Sequence, residues 1–187
     1  MEKLLVASFE TSGLNVANTI NIDRNISNHY QILSAGLIVC DKNFKKIDEL
    51  YVEIKWDGNS LWDSKAEKFH GFSKTYLKDS GLKEMKAVEL IGNFIVDHFE
   101  DDKIRLIGHN THFALTFLDS LFRRYDINLP FDPHYLDMST LGYTFLGKSK
   151  KFEIFNILGI KNDNRNALNT SRNILKSFKL FKKIMDR

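Results

Sequence analysis

Hydrophobic residues change their spacing several times along this chain, and each change marks a new kind of element. Lys3–Phe9 is a short, almost continuous apolar run that ends in Glu10-Thr11-Ser12-Gly13, the pattern of a buried strand entering a turn. Asn15–Asn28 is polar and asparagine-rich, has no period, and predicts an excursion loop. Tyr30–Cys40 is apolar and β-rich, Asp41-Lys42-Asn43 supplies a turn, and Phe44–Ile54 alternates, which together predict an antiparallel hairpin. Helical spacing then takes over. Leu61–His70 and Ser73–Asp79 predict short helices split by Gly71, and Glu84–Phe99 sets Ala87, Val88, Ile91, Phe94, Ile95 and His98 or Phe99 along one side. Lys103–Ile107 predicts a short strand closed by Gly108. Thr111–Tyr125 predicts an amphipathic helix with Leu115, Leu118, Leu121 and Phe122 facing inward. A brief strand around Tyr135–Asp137, two small helical pieces and a long helix over Ala167–Met185 complete the order.

A hairpin followed by strands alternating with helices predicts an α/β fold, a mixed sheet covered by helices. No repeat, linker or composition shift divides the chain, so residues 1–187 are read as a single domain. Hydrophobic residues make up 43% and charged residues 27%, enough apolar content for a core and too much for a disordered chain. The formal charge of +3 neither announces nor excludes a nucleic-acid partner. Cys40 is the only cysteine, so no intrachain disulfide is possible and a reducing, cytoplasmic setting is expected. No apolar stretch has the length of a membrane span, and Leu4-Leu5-Val6-Ala7 is too short for a signal peptide, so no membrane partner is expected.

Three segments carry chemistry. Ser8-Phe9-Glu10-Thr11-Ser12-Gly13-Leu14 ends the first strand, Gly108-His109-Asn110-Thr111-His112-Phe113-Ala114 joins a later strand to a helix, and Arg165-Asn166-Ala167-Leu168-Asn169-Thr170 opens the last helix. In this order they resemble the motifs of the DEDD (DnaQ-like) 3′–5′ exonuclease superfamily, which read Asp-x-Glu-Thr-x-Gly-Leu, His-Asn-x-x-Phe-Asp and His-x-Ala-x-x-Asp. His70-Gly71-Phe72 is similar to the family's His-Gly-Ile element, and the likeness covers nearly the whole chain. It implies a ribonuclease H-like mixed β-sheet, with antiparallel strands first and parallel strands after them, flanked by α-helices. It also implies two magnesium or manganese ions held by four carboxylates, and a histidine general base.

The departures from that pattern decide the expected activity. Ser8 stands at the first aspartate position, Ala114 at the second-motif aspartate, Thr170 at the third-motif aspartate and Arg165 at the histidine; only Glu10 remains. Two-metal phosphodiester hydrolysis needs ions roughly 3.5–4 Å apart, and magnesium needs oxygen ligands in near-octahedral array. One carboxylate does not supply that, and an arginine does not act as a base near neutral pH. No functional catalytic residue, no metal site beyond a vestigial Glu10 and no cofactor is therefore expected. Asp119 lies five residues beyond Ala114 and about 140° away around a helix, while Asp163 and Asp137 are the other nearby acids.

The family implies nucleic-acid contacts at Glu10, Thr11, Leu14, His109, Asn110 and Arg165, toward single-stranded DNA or RNA. Each has a structural alternative. Glu10 and Arg165 would pair with each other, Thr11 would be a turn residue, Leu14 a core leucine, and His109 and Asn110 helix caps. Phe113 is expected in the core. Arg172, Lys176, Lys179 and Lys183 form a basic stripe on the last helix, and Lys148, Lys150 and Lys151 a second basic cluster in a presumed loop. Trp56 and Trp62 bracket a surface loop, as base-stacking residues or as hydrophobic anchors. Three functions follow: an exonuclease homologue that binds a strand or its 3′ end without hydrolysis, a protein-interaction module on the same fold, or an active exonuclease with a rearranged metal site.

Overall fold

A computed structural model describes residues 2–15, 29–161 and 166–186. The loop predicted over Asn15–Asn28 therefore falls almost wholly outside the described residues, as do Asp163 and Arg165. The chain forms β1 (Lys3–Thr11), β2 (Ile32–Asp41), β3 (Lys46–Glu53), α1 (Ser64–His70), α2 (Lys74–Ser80), α3 (Glu84–Phe99), β4 (Leu106–Gly108), α4 (Thr111–Arg123), β5 (Leu136–Asp137), α5 (Met138–Leu146), α6 (Lys151–Ile157) and α7 (Ala167–Met185). The strands make one sheet in the order β3-β2-β1-β4-β5. β1, β2 and β3 pair antiparallel, whereas β4 joins β1 and β5 joins β4 in parallel. This is the mixed α/β sheet that the order of elements predicts.

Alternation along β1 divides the interior into two cores. Leu5, Ala7 and Phe9 face a core built with Ile91, Ile95 and Phe99 of α3 and Phe117, Leu118 and Leu121 of α4. Leu4 and Val6 face the other core, with Met138, Ile154, Phe155, Ile174, Phe178 and Phe181 from α5, α6 and α7. Burial on both faces explains why β1 and β2 read as continuous apolar runs rather than alternating ones. Inside α4 the inward residues are Ala114, Phe117, Leu118, Leu121 and Phe122, so Phe117 takes the inner place predicted for Leu115. Cys40 is buried within this packing. Among the described residues no helix is long and apolar enough to cross a membrane.

One contact sets the position of α7. Gly36 of β2 pairs with Ser8 of β1, and the backbone of Ala167 and Leu168 lies 2.2–2.4 Å from where a Gly36 side chain would begin. Ser171 then donates a 2.7 Å hydrogen bond to the Gly36 carbonyl. Only a residue without a Cβ lets helix and sheet approach so closely. Asp137 plays a similar part at the other edge. Its carboxylate accepts from the Ser139 amide (2.7 Å) and hydroxyl at the start of α5, and from the Thr111 amide (2.5 Å) at the start of α4. Burial opposes that charge, but the bonds from Ser139 and Thr111 outweigh it and hold the Asp137 carboxyl below its ordinary pKa.

Gly36→Ala is expected to destabilise the fold by ~3 kcal/mol, a fall in Tm of roughly 6–12 °C, measured by thermal or denaturant unfolding. Asp137→Ala should cost ~2 kcal/mol at neutral pH, because two helix starts lose a charged acceptor. With a depressed folded pKa, this contribution is fully present above the unfolded value of ~3.9 and fades as pH falls through the folded value. The gap in unfolding free energy between wild type and Asp137→Ala should therefore close on acidification below about pH 4; a gap independent of pH would show that the charge is irrelevant.

Candidate functional site

β1, β4 and β5 run parallel, and the segments that follow β1 and β4 emerge at the same end of the sheet. A crevice outside the carboxyl ends of parallel strands is a general position for ligand sites in α/β folds. Here a cleft of about 370 Å³ opens at that end. Its lining takes in Ser8, Glu10 and Thr11 from the end of β1, Leu14 beyond it, His109, Asn110, Phe113 and Ala114 around the start of α4, and Thr170 from the first turn of α7. Four of the five positions that the motifs single out as degenerate, Ser8, Glu10, Ala114 and Thr170, thus share one cavity. The fifth, Arg165, lies outside the described residues, and so does its suggested pairing with Glu10.

Local structure explains how each side chain reaches the cleft. Ser8 and Glu10 continue the face of β1 that carries Leu4 and Val6, but they lie beyond the helices that cover it and are half-buried. Thr11 is buried and donates a 2.7 Å hydrogen bond to the Gly13 carbonyl, so it shapes the turn while lining the cleft. Leu14 is 57% exposed, which removes the core-leucine reading. Phe113 is half-buried, rests against Phe117 with ring centroids 4.5 Å apart, and lines the cleft rather than joining the core outright. Asn110 takes a left-handed backbone (φ 55°), a conformation asparagine tolerates well, and its side chain makes no capping bond. Asp137 caps α4 instead, so the cap expected of Asn110 comes from another strand. The His109 Nε2 donates to the Ser149 carbonyl at 2.9 Å, tying the α5–α6 connection to the cleft.

Five lining residues lie outside the motif segments: Ala7, Ala66, Phe69, Lys151 and Phe152. Lys151, which the sequence places in a loop cluster, opens α6, and its ammonium lies 5.3 Å from the Phe152 ring centroid. Phe69 is 62% exposed and Phe152 42%, so with Leu14 they leave an apolar rim around a polar floor. The signal for Lys151 and Phe152 was a lysine cluster running directly into an aromatic; for Phe69 it was its place beside His70.

The electrostatics are those of a desolvated site holding few charges. Burial raises the Glu10 carboxyl above its ordinary pKa, and the Lys151 charge draws it part of the way back. Burial lowers the His109 imidazole; the bond to Ser149 counters this, and Lys151 adds to it. His70, another lining residue, is lowered by burial too. Its Nδ1 accepts the Phe72 amide at 3.0 Å, so the neutral ring carries its proton on Nε2, which is buried and has no hydrogen-bond partner.

These donors do not fit a pair of divalent ions. Ser8 and Thr170 offer a neutral hydroxyl each, Ala114 a methyl group, and Glu10 a carboxylate whose charge burial already opposes. Among the described residues no three His, Cys, Asp or Glu side chains gather as a metal site would require. Asp119 is engaged by Arg123 at 2.7 Å, and Asp137 by the two helix starts. Of the basic stripe of α7, Arg172 is bonded to Glu49 at the β3 edge of the sheet, at 2.5 and 3.0 Å, and Lys176, Lys179 and Lys183 are exposed and do not line the cleft. Trp56 and Trp62 pack edge to face at 5.6 Å, with the Lys74 ammonium 4.3 Å from the Trp56 ring, which anchors their loop.

No family model matches the sequence, and no curated protein is similar enough to count as a match. Solved structures do match. The zinc-bound complex of E. coli exonuclease I with single-stranded DNA superposes with a TM-score of 0.77 at 16% identity, over 100% of this chain and 42% of that one. Exonuclease I from Methylocaldum szegediense gives 0.74 at 15% identity, over 100% and 42%. The nuclease domain of 3′hExo, a DEDDh family member bound to rAMP, gives 0.70 at 13% identity, over 98% and 92%. The chain thus spans less than half the length of the exonuclease I proteins and nearly the whole of the 3′hExo nuclease domain. At such low identity the likeness speaks for architecture alone, and the architecture is the ribonuclease H-like fold of the DnaQ-like 3′–5′ exonuclease superfamily.

Proposed function

We propose that this chain is a catalytically degenerate 3′–5′ exonuclease homologue, a pseudoenzyme that binds single-stranded nucleic acid, or its 3′ end, without hydrolysing it. The observation that carries this reading is the composition of one cavity. Ser8, Glu10, Ala114 and Thr170 line it together, and Glu10 alone brings a carboxylate. Metal-assisted hydrolysis stabilises both the attacking and the leaving oxygen, and among the described lining residues a single carboxylate faces the demand of two ions.

Binding has separate support. Leu14, Phe69, Phe113 and Phe152 surround the cleft with apolar and aromatic surface, much of it open to solvent. Aromatic faces accept unpaired bases of any sequence, at ~1–3 kcal/mol per base. Structures of E. coli exonuclease I with single-stranded DNA and with a dT13 oligonucleotide share this fold. Cys40, buried and with its thiol pushed up to about 12 chiefly by burial, suits a cytoplasmic setting and takes no part in the site.

Purified protein is expected to leave 5′-labelled single-stranded DNA and RNA intact in magnesium or manganese, read on a denaturing gel. Trimming from the 3′ end that requires metal and disappears in Glu10→Ala would overturn the degenerate reading. Phe152→Ala should weaken binding of a fluorescent single strand by about fivefold or more, the loss of one stacking partner. Unaltered affinity in both Phe152→Ala and Leu14→Ala would count against the cleft as the binding surface.

A further inference from the structure

Aromatic contact does not stop at the cleft. His70, one of its lining residues, packs against Phe72 with ring centroids 5.5 Å apart. Phe72 stacks in turn on Tyr76 at 5.9 Å, the two planes 5° from parallel. His70 also meets Trp62 edge to face at 5.6 Å, and Trp62 meets Trp56. These rings are thus in unbroken contact, from a residue that lines the cleft to Tyr76, which is 46% exposed. Phe69, beside His70 in the chain and 62% exposed, lines the cleft as well.

We infer that a single strand held in the cleft continues across α1 and α2, its next bases stacking at Phe72 and Tyr76 and its backbone drawn to Lys74. The inference rests on the nucleic-acid reading above and extends the binding path beyond the cleft. Its occupant is the strand itself, in a length that the cleft alone does not accommodate.

The chemistry of this surface suits that occupant. Aromatic faces stack unpaired bases whatever their sequence. The Lys74 ammonium lies 4.3 Å from the Trp56 ring centroid and 5.3 Å from that of Trp62. Attraction to the rings holds the charge in place and leaves its N–H groups for oxygen acceptors. On α1 and α2 the exposed lysines are Lys65, Lys68, Lys74 and Lys78, against one exposed acid, Asp79. Nearby carboxylates are turned to hydrogen bonds within the fold. Glu67 accepts the Trp62 Nε1 at 2.7 Å, Glu53 accepts the Tyr51 and Tyr76 hydroxyls at 2.6 and 2.8 Å, and Asp63 caps α1. A polyanion gains from such an excess of lysine around aromatic rings, as an apolar protein partner would not.

The rings stand on a fixed base. Leu77 is fully buried, and the Ser73 hydroxyl caps α2 by accepting the Tyr76 amide at 3.1 Å. Past α2, a Cβ on Gly81 would lie 2.5 Å from the Lys55 amide nitrogen, so the end of the helix is pressed against the chain leaving β3. Binding here orders little that is not already ordered, which favours affinity.

Fluorescence anisotropy of labelled dT4 and dT12, with EDTA or with magnesium, tests this. Wild type is expected to bind dT12 about thirtyfold more tightly than dT4, the worth of two further stacked bases. Trp56 and Trp62 are the only tryptophans in the chain, so unlabelled dT12 should also change the intrinsic emission. Tyr76→Leu should weaken dT12 binding about fivefold or more, whereas Tyr76→Phe keeps the ring and should stay within a few-fold of wild type. Lys74→Gln should lower the slope of log K against log salt by about 0.7, one phosphate contact on a single strand. All three variants should melt close to wild type, since Leu77 anchors α2. Equal wild-type affinity for the two lengths would overturn the inference. So would folded Tyr76→Leu and Lys74→Gln proteins that both keep the wild-type affinity and salt slope, or a Tyr76→Phe as weak as the leucine variant. In those cases the cleft reading survives; wild type that binds neither oligonucleotide sinks both.

Discussion

The arrangement of the molecule turns on the meeting of α7 with β2 at Gly36. A helix that touches a sheet through its backbone cannot be shifted by repacking side chains, because no side chain lies in the gap to be exchanged. The Ser171 hydroxyl bonds the Gly36 carbonyl and fixes the contact along the helix as well as across it. Ser8 is the residue beside Gly36 in the neighbouring strand. Thr170 is the residue before Ser171. The two hydroxyls of the cleft floor are thus brought together by a contact whose chemistry has nothing to do with either of them.

This separation of scaffold from site leaves the exonuclease-like fold independent of the residues that line its cleft. The sheet order, the two cores and the cleft depend on Gly36, on the apolar runs of β1 and β2, and on Asp137, none of which supplies a metal ligand in the resemblance. Carboxylates clustered in a desolvated cavity repel one another and oppose folding, so a cleft with few of them carries little such strain. Glu10 is the one carboxylate among the described lining residues, raised by burial and drawn part of the way back by the charge of Lys151.

Much of this is legible in the sequence itself. The long helices α3 and α7 carry a full 3.6-residue period and fall where that period begins and ends. The hairpin was declared by Asp41-Lys42-Asn43 between two β-rich runs, and the antiparallel ladder of β2 and β3 follows from it. Three motifs far apart in the chain drew Ser8, Glu10, Ala114 and Thr170 into one group, and the fold brings them to one cavity. The rest depended on distance. Lys151 belongs to a seven-residue helix too short to show a period, so its lysine cluster looked like a loop. Phe113 stands at a helical position that reads as interior, and only the empty cleft beside it leaves it half-covered. Asn110 has the residue type of a cap, yet the cap comes from Asp137, 26 residues away from Thr111.

Asp137 joins regions that the sequence keeps apart. A single carboxylate serves the first amides of both α4 and α5, so neither helix start can rearrange without releasing the other. His109 and Asn110, on the turn entering α4, are therefore mechanically tied to the sheet's last strand, and His109 in turn grips the loop leading to α6. The side of the cleft formed by these residues is thus held as one unit by a single acidic residue. Removing that one carboxylate would therefore loosen two helices and a wall of the cleft at once, although it does not line the cleft itself.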